Sequence, residues 1–471
     1  MENPLDKLIQ KPSESPNMSE VGRFEIYNLR ENPFPRSPFV NKSSTEDKLN
    51  GNIFEIAVRE KEFAKIKKCF LNVPQSKPDH LRLGFINDTS YIGRGNGKSA
   101  FLINLLKKIN QNYCLDLSEN KNKCFGIFAA PEGGGVVKTF DKFVDLIFES
   151  ILESDIIKVS LAIIRLDVLA KKGLHKIFSG KKFEDIIEDL NSSKWFQEQK
   201  IDFHELNKGI RANSYISAMP TEFPLFNEHG MFVNLSTQAS FEEYYSRLRK
   251  NQDKLEFVFS QLVEFFLAAG FNGAYILVDD FERIPEFQSA IQKKDFATQL
   301  RTVLFDGVYV NSRIGFYNFF LALHAGVPRL LGTAWSESGM ENRVPLNPQI
   351  ETNNVIAFEK LSDKHAIMMI KKYLEHYRTK PPKKGDDLFP FTEKGVRIMG
   401  ESSEYNAASI LKFAYQVIEK GAVEKRQMLD EEYIQNFRKE SKDFSIETTP
   451  KNLTTSSTTD LRKKAKSKRK K

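Results

Sequence analysis

Two stretches carry residue types that can do chemistry on a phosphate. The first is GRGNGKSA, residues 93–100. Gly93, Gly95 and Gly97 let the backbone curl so that successive N–H groups point at one anion; Asn96 and Ala100 complete the loop and the helical turn after it. Lys98 carries a charge able to reach the β and γ phosphates of a nucleotide, and the Ser99 hydroxyl is a ligand type suited to Mg2+. Against the pattern G-x-x-x-x-G-K-[ST], the second half is intact and Ile92 fills the slot of the first glycine. A β-branched residue suits positive φ poorly, so the loop is expected to open through Gly93. The second stretch is AYILVDDFERI, residues 274–284. Asp279, at the end of an apolar run, is placed to hold the water shell of a metal. Asp280 beside it, or Glu282 two residues on, would orient and deprotonate an attacking water.

Such groups need elements to position them. LRLGFIND and TSYI read as strands ahead of the loop, and KSAFLINLLKKI as the helix behind it. KCFGIFAAP, GAYILVDD, GFYNFFLALHAG and NVIAFEKL are further short apolar strands. Strands alternating with helices predict an α/β fold, a P-loop NTPase whose parallel sheet is covered by helices on both faces. SFEEYYSRL opens with Ser240 and Glu243 at the spacing of a capping box, and Gly270 is a natural helix stop. The Phe-rich aromatic content falls at core positions of helices and strands and reads as packing. EGGG, residues 132–135, has no lysine next to it and reads as a loop before a helix. The expected organisation is a largely unordered strap over 1–50, a P-loop domain over 51–360 with a helical insertion at 155–235, a C-terminal helical lid over 361–436, and a basic tail over 437–471.

The chain has 471 residues and a net charge of +8. The last eleven residues, LRKKAKSKRKK, hold eight basic groups and no acid, which accounts for the whole excess. The basic pI therefore describes a tail and no folded surface. That tail is suited to nonspecific contact with DNA, to staying solvated, or to serving as a nuclear address in a eukaryote. No apolar run reaches the ~18 residues of a membrane span. Cys69, Cys114 and Cys124 have no metal-ligand spacing, and the N-terminus lacks the layout of a secretion signal. A cytoplasmic protein is expected.

The order of these parts resembles an AAA+ ATPase of the origin-recognition and transposition-regulator type, across roughly residues 54–425. AVREKEF resembles the Arg-Glu segment ahead of the loop, with Arg59 and Glu60 in the matching places. GRGNGKS matches the phosphate loop except at Ile92, and ILVDDFE matches the acidic strand. FFLALHAG resembles the strand that delivers a polar sensor, a role the resemblance gives to His324. SGMENRVPL resembles the segment where the family often carries an arginine that touches a neighbour's nucleotide, which points to Arg343. The resemblance departs at YNAASILKF, where Ala408 stands in the slot of the lid arginine. The residues after the lid are also too few and too polar for a winged helix. GAYILVDDFERI followed by LRTVLFDG is similar to P-loop ATPases of bacterial and archaeal phage-defence systems as well.

The resemblance implies ATP and Mg2+ as cofactors. It also implies hydrolysis that drives a conformational or assembly change in a process on DNA, and a protein partner or further copies of the chain. A nucleotide-gated scaffold that hydrolyses little stays open beside it, motivated by Ile92 and Ala408, as does a P-loop kinase acting on a small substrate.

Overall fold

Five of the apolar runs become the strands of one sheet in a computed structural model of the chain. It describes residues 22–72, 80–88, 94–119, 121–202, 206, 237–324, 327–346, 352–382 and 386–440. The strands are β1 (Leu83–Asp88), β2 (Cys124–Ala129), β3 (Gly273–Val278), β4 (Tyr317–Leu323) and β5 (Val355–Phe358). All pairings are parallel, in the order β2-β3-β4-β1-β5. The expected strand over TSYI, with Ile92 and Gly93, lies outside the described residues.

Every residue of β3 and β4 is buried, as expected of central parallel strands with both faces covered. The two faces of β4 differ. Tyr317, Phe319, Leu321 and Leu323 enter a large aromatic core with Phe140, Phe143, Phe259 and Phe296. Phe320 points the other way, with its ring 4.7 Å from Phe70, and the Tyr275 hydroxyl donates to the Phe70 carbonyl at 2.8 Å. There β1 needs Gly84, because a Cβ at that position would stand 2.8 Å from the Phe320 ring and 2.9 Å from Phe70. Gly126 of β2 similarly admits Leu106 of the helix Lys98–Asn110, here α1.

The chain divides into two compact units. The sheet unit spans residues 59–88 and 98–359 among those described. Its helices at Ile156–Lys171, Phe183–Leu190 and Ser193–Glu198 cover the start of the expected insertion. They share the core of the sheet: Ile157, Leu161, Leu190 and Trp195 belong to the same apolar cluster as β3 and β4. Residues 207–236 of that stretch lie outside the described residues. The capping box sits three residues earlier than its expected place. The helix Gln238–Arg247 is capped by Thr237, whose hydroxyl accepts from the Ser240 amide, while the Ser240 hydroxyl accepts from the Thr237 amide. Gly270 follows the helix Leu262–Ala268 with φ +82° and its N–H donated to the Leu267 carbonyl.

The other unit holds residues 22–58, 94–97 and 360–440 among those described. It is built on the helices Asp363–Tyr377, Glu393–Ser402, Ala407–Val423 and Glu431–Glu440. The strap expected to be unordered contributes to it: over residues 22–50, Tyr27, Leu29 and Phe34 are fully buried in one cluster with Ile370, Ile410 and Val417. Residues 1–21 and the basic tail from 441 onward lie outside the described residues.

Candidate functional site

Strand register brings the candidate residues to one rim of the sheet. Asn87 pairs with Leu323 and Val278 with Leu321, so Asp88 closes β1 while Asp279 and His324 directly follow β3 and β4, at the carboxyl ends of three adjacent strands. Ligands of open α/β sheets bind at this rim. Behind β1 the chain re-enters the sheet unit as α1, which starts at Lys98 and Ser99. Glu282 sits in a 3-10 turn, Phe281–Arg283, directly after the acidic pair.

The Ser99 hydroxyl lies close enough to the Asp279 carboxylate to hold its pKa down, and this proximity joins the phosphate-loop stretch to the acidic strand. Burial raises the pKa of Asp279, the Ser99 hydroxyl opposes that rise, and the nearby Asp280 and Glu282 charges add to it. A carboxylate disfavoured in this way gains from a cation beside it. A hydroxyl and a carboxylate are both hard oxygen donors of the kind Mg2+ takes, so the donor set fits that ion. The loop fits an anion. Gly95 and Gly97 hold φ of +104° and +84°, and the space a Cβ would fill at Gly97 is open. Within its own unit the loop is held by the Asn406–Ala408 segment: the Asn406 amide donates to the Arg94 carbonyl at 3.2 Å and the Ala408 N–H to the Gly95 carbonyl at 2.9 Å. A Cβ on Gly95 would stand 2.7 Å from that of Ala408. Asn96 is buried, and Ala100 lies in the first turn of α1.

Lys98 donates to Asp88 in a buried ion pair whose side chains are 7 % and 1 % exposed. Sequence reasoning missed Asp88. The signal was the acid that ends LGFIND, the apolar strand just ahead of the loop. His324 closes a chain of alternating charge. Its Nδ1 lies 3.4 Å from Lys98 Nζ and 3.7 Å from Asp88 Oδ2, and its Nε2 lies 2.8 Å from Glu282 Oε1. The Glu282 contact is an ion pair, and among the described residues neither carboxylate oxygen of this buried side chain makes a well-aligned hydrogen bond. Burial opposes a charge on His324, but Asp88 and Glu282 outweigh it and push the pKa up to about 9. The imidazole is therefore cationic at neutral pH.

The remaining candidates separate. Asp280 has φ of +46° and pairs with Arg283 in its own turn, while Asp280, Glu282 and His324 still bring ligand-type atoms within 4.8 Å of one another. Arg343 is exposed and ends the short turn Met340–Asn342. Arg59 is buried, bonded to Glu62 at 2.9 Å and to the Glu359 carbonyl at 2.8 Å. Its acidic neighbour is thus Glu62, one turn on, while Glu60 is exposed. Among the described residues, no helix is long and apolar enough to cross a membrane.

No family model matches the chain, and no curated protein matches it. Among solved structures, the chain is similar to the ORC2 protein of Aeropyrum pernix, determined as ADPNP and ADP complexes. The identity is 10 %, over 87 % of this chain and 71 % of that one, with a TM-score of 0.41. It is also similar to a Walker-type ATPase of Pyrococcus abyssi, at 12 % identity over 81 % and 76 % of the two chains and a TM-score of 0.37.

Proposed function

We propose that the chain is an ATP-binding, Mg2+-dependent ATPase of AAA+ type that couples nucleotide binding and hydrolysis to a change of conformation or assembly. The observation that carries this reading is the nearness of Ser99 to Asp279, which brings the phosphate-loop serine beside the acid at the end of β3. Lys98 neutralises phosphate charge, and Ser99 with Asp279 would hold Mg2+, which supplies further neutralisation of the triphosphate when bound. Glu282 takes the proton of the attacking water, positioned by the cationic His324 at 2.8 Å. Asp280, tied to Arg283, shapes the turn that presents Glu282. Arg343 serves a neighbouring copy, because its exposed guanidinium is available to another subunit. The eight basic groups of the last eleven residues support a task on DNA.

Steady-state phosphate release tests the reading, with and without Mg2+ and with and without duplex DNA. Turnover that needs Mg2+ and is lost in Lys98→Ala is the expected result. Equal turnover in the parent and the variant would sink it. A second reading, a nucleotide-gated scaffold that binds ATP and scarcely hydrolyses it, is favoured by one observation. The segment that would carry a lid arginine has Ala408 there, and its backbone is bonded to the loop itself. Tight ATP binding without turnover, on DNA or off it, selects that reading.

A further inference from the structure

The reading above gives Lys98 to the phosphates of a nucleotide, yet its ammonium is already held by a buried carboxylate. Asp88 lies between cations. Lys98 donates to it, His324 Nδ1 stands 3.7 Å from its Oδ2, and its charge acts on the buried Arg59 guanidinium. His324 faces Asp88 with one ring nitrogen and Glu282 with the other, the latter at 2.8 Å. The side chains thus run in the order Lys98, Asp88, His324, Glu282, and all but His324 are among the buried residues.

Two consequences follow from this order. A phosphate that engages Lys98 competes with Asp88 for the same ammonium, so nucleotide binding carries the cost of parting a buried pair. Once displaced from Lys98, the Asp88 carboxylate keeps two cationic neighbours, and the His324 imidazole is the one that also touches Glu282. A carboxylate on one ring nitrogen fixes the direction in which the other points.

Resting on the ATPase reading of this site, we infer that Asp88 is a positioning residue that pairs with Lys98 until phosphate replaces it, then pairs with His324 and fixes that ring against Glu282. Asp88 thereby reports the arrival of phosphate at Lys98 to the group that handles the water. It lowers affinity in the first role and supports turnover in the second.

The test measures ATPγS and ADP binding by calorimetry, and ATP turnover, for the intact chain and for Asp88→Asn and Asp88→Glu. Asp88→Asn is expected to bind ATPγS about tenfold more tightly, the factor by which a tenth-populated competent state weakens binding. Its kcat is expected to fall about tenfold or more, because the ring loses its orientation. Asp88→Glu, which keeps the carboxylate, is expected to restore binding and turnover toward parental values. A merely structural residue would lower the melting temperature without tightening binding. If the parent binds and Asp88→Asn binds equally or more weakly, the inference is overturned while the ATPase reading stands; a parent that binds neither nucleotide overturns both. Should Asp88→Asn fail to fold, a crystal structure of the parent with ATPγS decides: the Lys98–Asp88 pair is expected to be broken and Asp88 to be on His324 Nδ1, and an intact Lys98–Asp88 pair beside bound phosphate overturns the inference.

Discussion

The hydroxyl of Ser99 lies near the carboxylate of Asp279 and holds its pKa down. These residues come from the loop behind β1 and from the end of β3, two strands that are not neighbours, since β4 runs between them. Four predictions start from that rim.

Lys98→Ala removes the charge that faces the phosphates, and turnover is expected to fall about 10²-fold or more, the scale of losing one preorganised donor to developing charge. It also leaves Asp88 to the His324 and Arg59 cations alone, a loss smaller than the roughly 3–5 kcal/mol of a buried charge left with no partner. The double variant Lys98→Ala/Asp88→Asn should therefore melt above the single one while remaining inactive. Thermal melts and phosphate release on the same samples check both statements.

Glu282→Gln is expected to lower kcat about 10²-fold or more, the range for loss of a general base, with ATPγS affinity little changed. Asp280→Asn should be milder, because Asn tolerates the left-handed backbone at this position and the side chain does not touch His324 in the ion-pair chain. A larger loss from Asp280→Asn than from Glu282→Gln would reverse the assignment of the base.

His324 gives a pH dependence of definite sign. Its folded pKa, about 9, lies above the ordinary 6.5, so the folded chain binds the proton more tightly than the unfolded one. The stability this contributes is fully present below about pH 6.5 and is lost as pH rises through about 9. The slope within that window is at most about 1.4 kcal/mol per pH unit. Urea midpoints across the window should fall for the parent and change less for His324→Gln.

Two glycines of the loop should differ when replaced by alanine. Both sit at positive φ, but the new Cβ of Gly95→Ala meets the Ala408 Cβ at 2.7 Å, while that of Gly97→Ala meets open space. Backbone strain of about 1–2 kcal/mol applies to each, and Gly95→Ala adds a clash on top of it. Gly95→Ala should have the lower melting temperature. Gly97→Ala should mainly weaken nucleotide affinity in calorimetry.

The strands were legible because burial on both faces turns them into apolar runs with few interruptions, and the phosphate loop was legible because glycine, lysine and serine at that spacing have few other uses. Asp88 was hidden for a different reason. An acid at a strand end is ordinary, and only the register of β1 against β4, which no local pattern states, sets it beside His324. Arg59 pairs with Glu62 across one helical turn, a contact that the match of Arg59 and Glu60 to a family segment does not state. Residues 22–50 looked too polar to order. Tyr27, Leu29 and Phe34 are few, but each finds a place against distant helices, and composition averages such anchors away. The capping box moved to Thr237 because Ser240 can serve as either member of such a pair.

β4 carries His324 directly beyond its last residue, and its whole length is buried between two tightly filled layers. Burial over its whole length leaves β4 no slack, so the place of the imidazole is fixed by the packing of the strand beneath it.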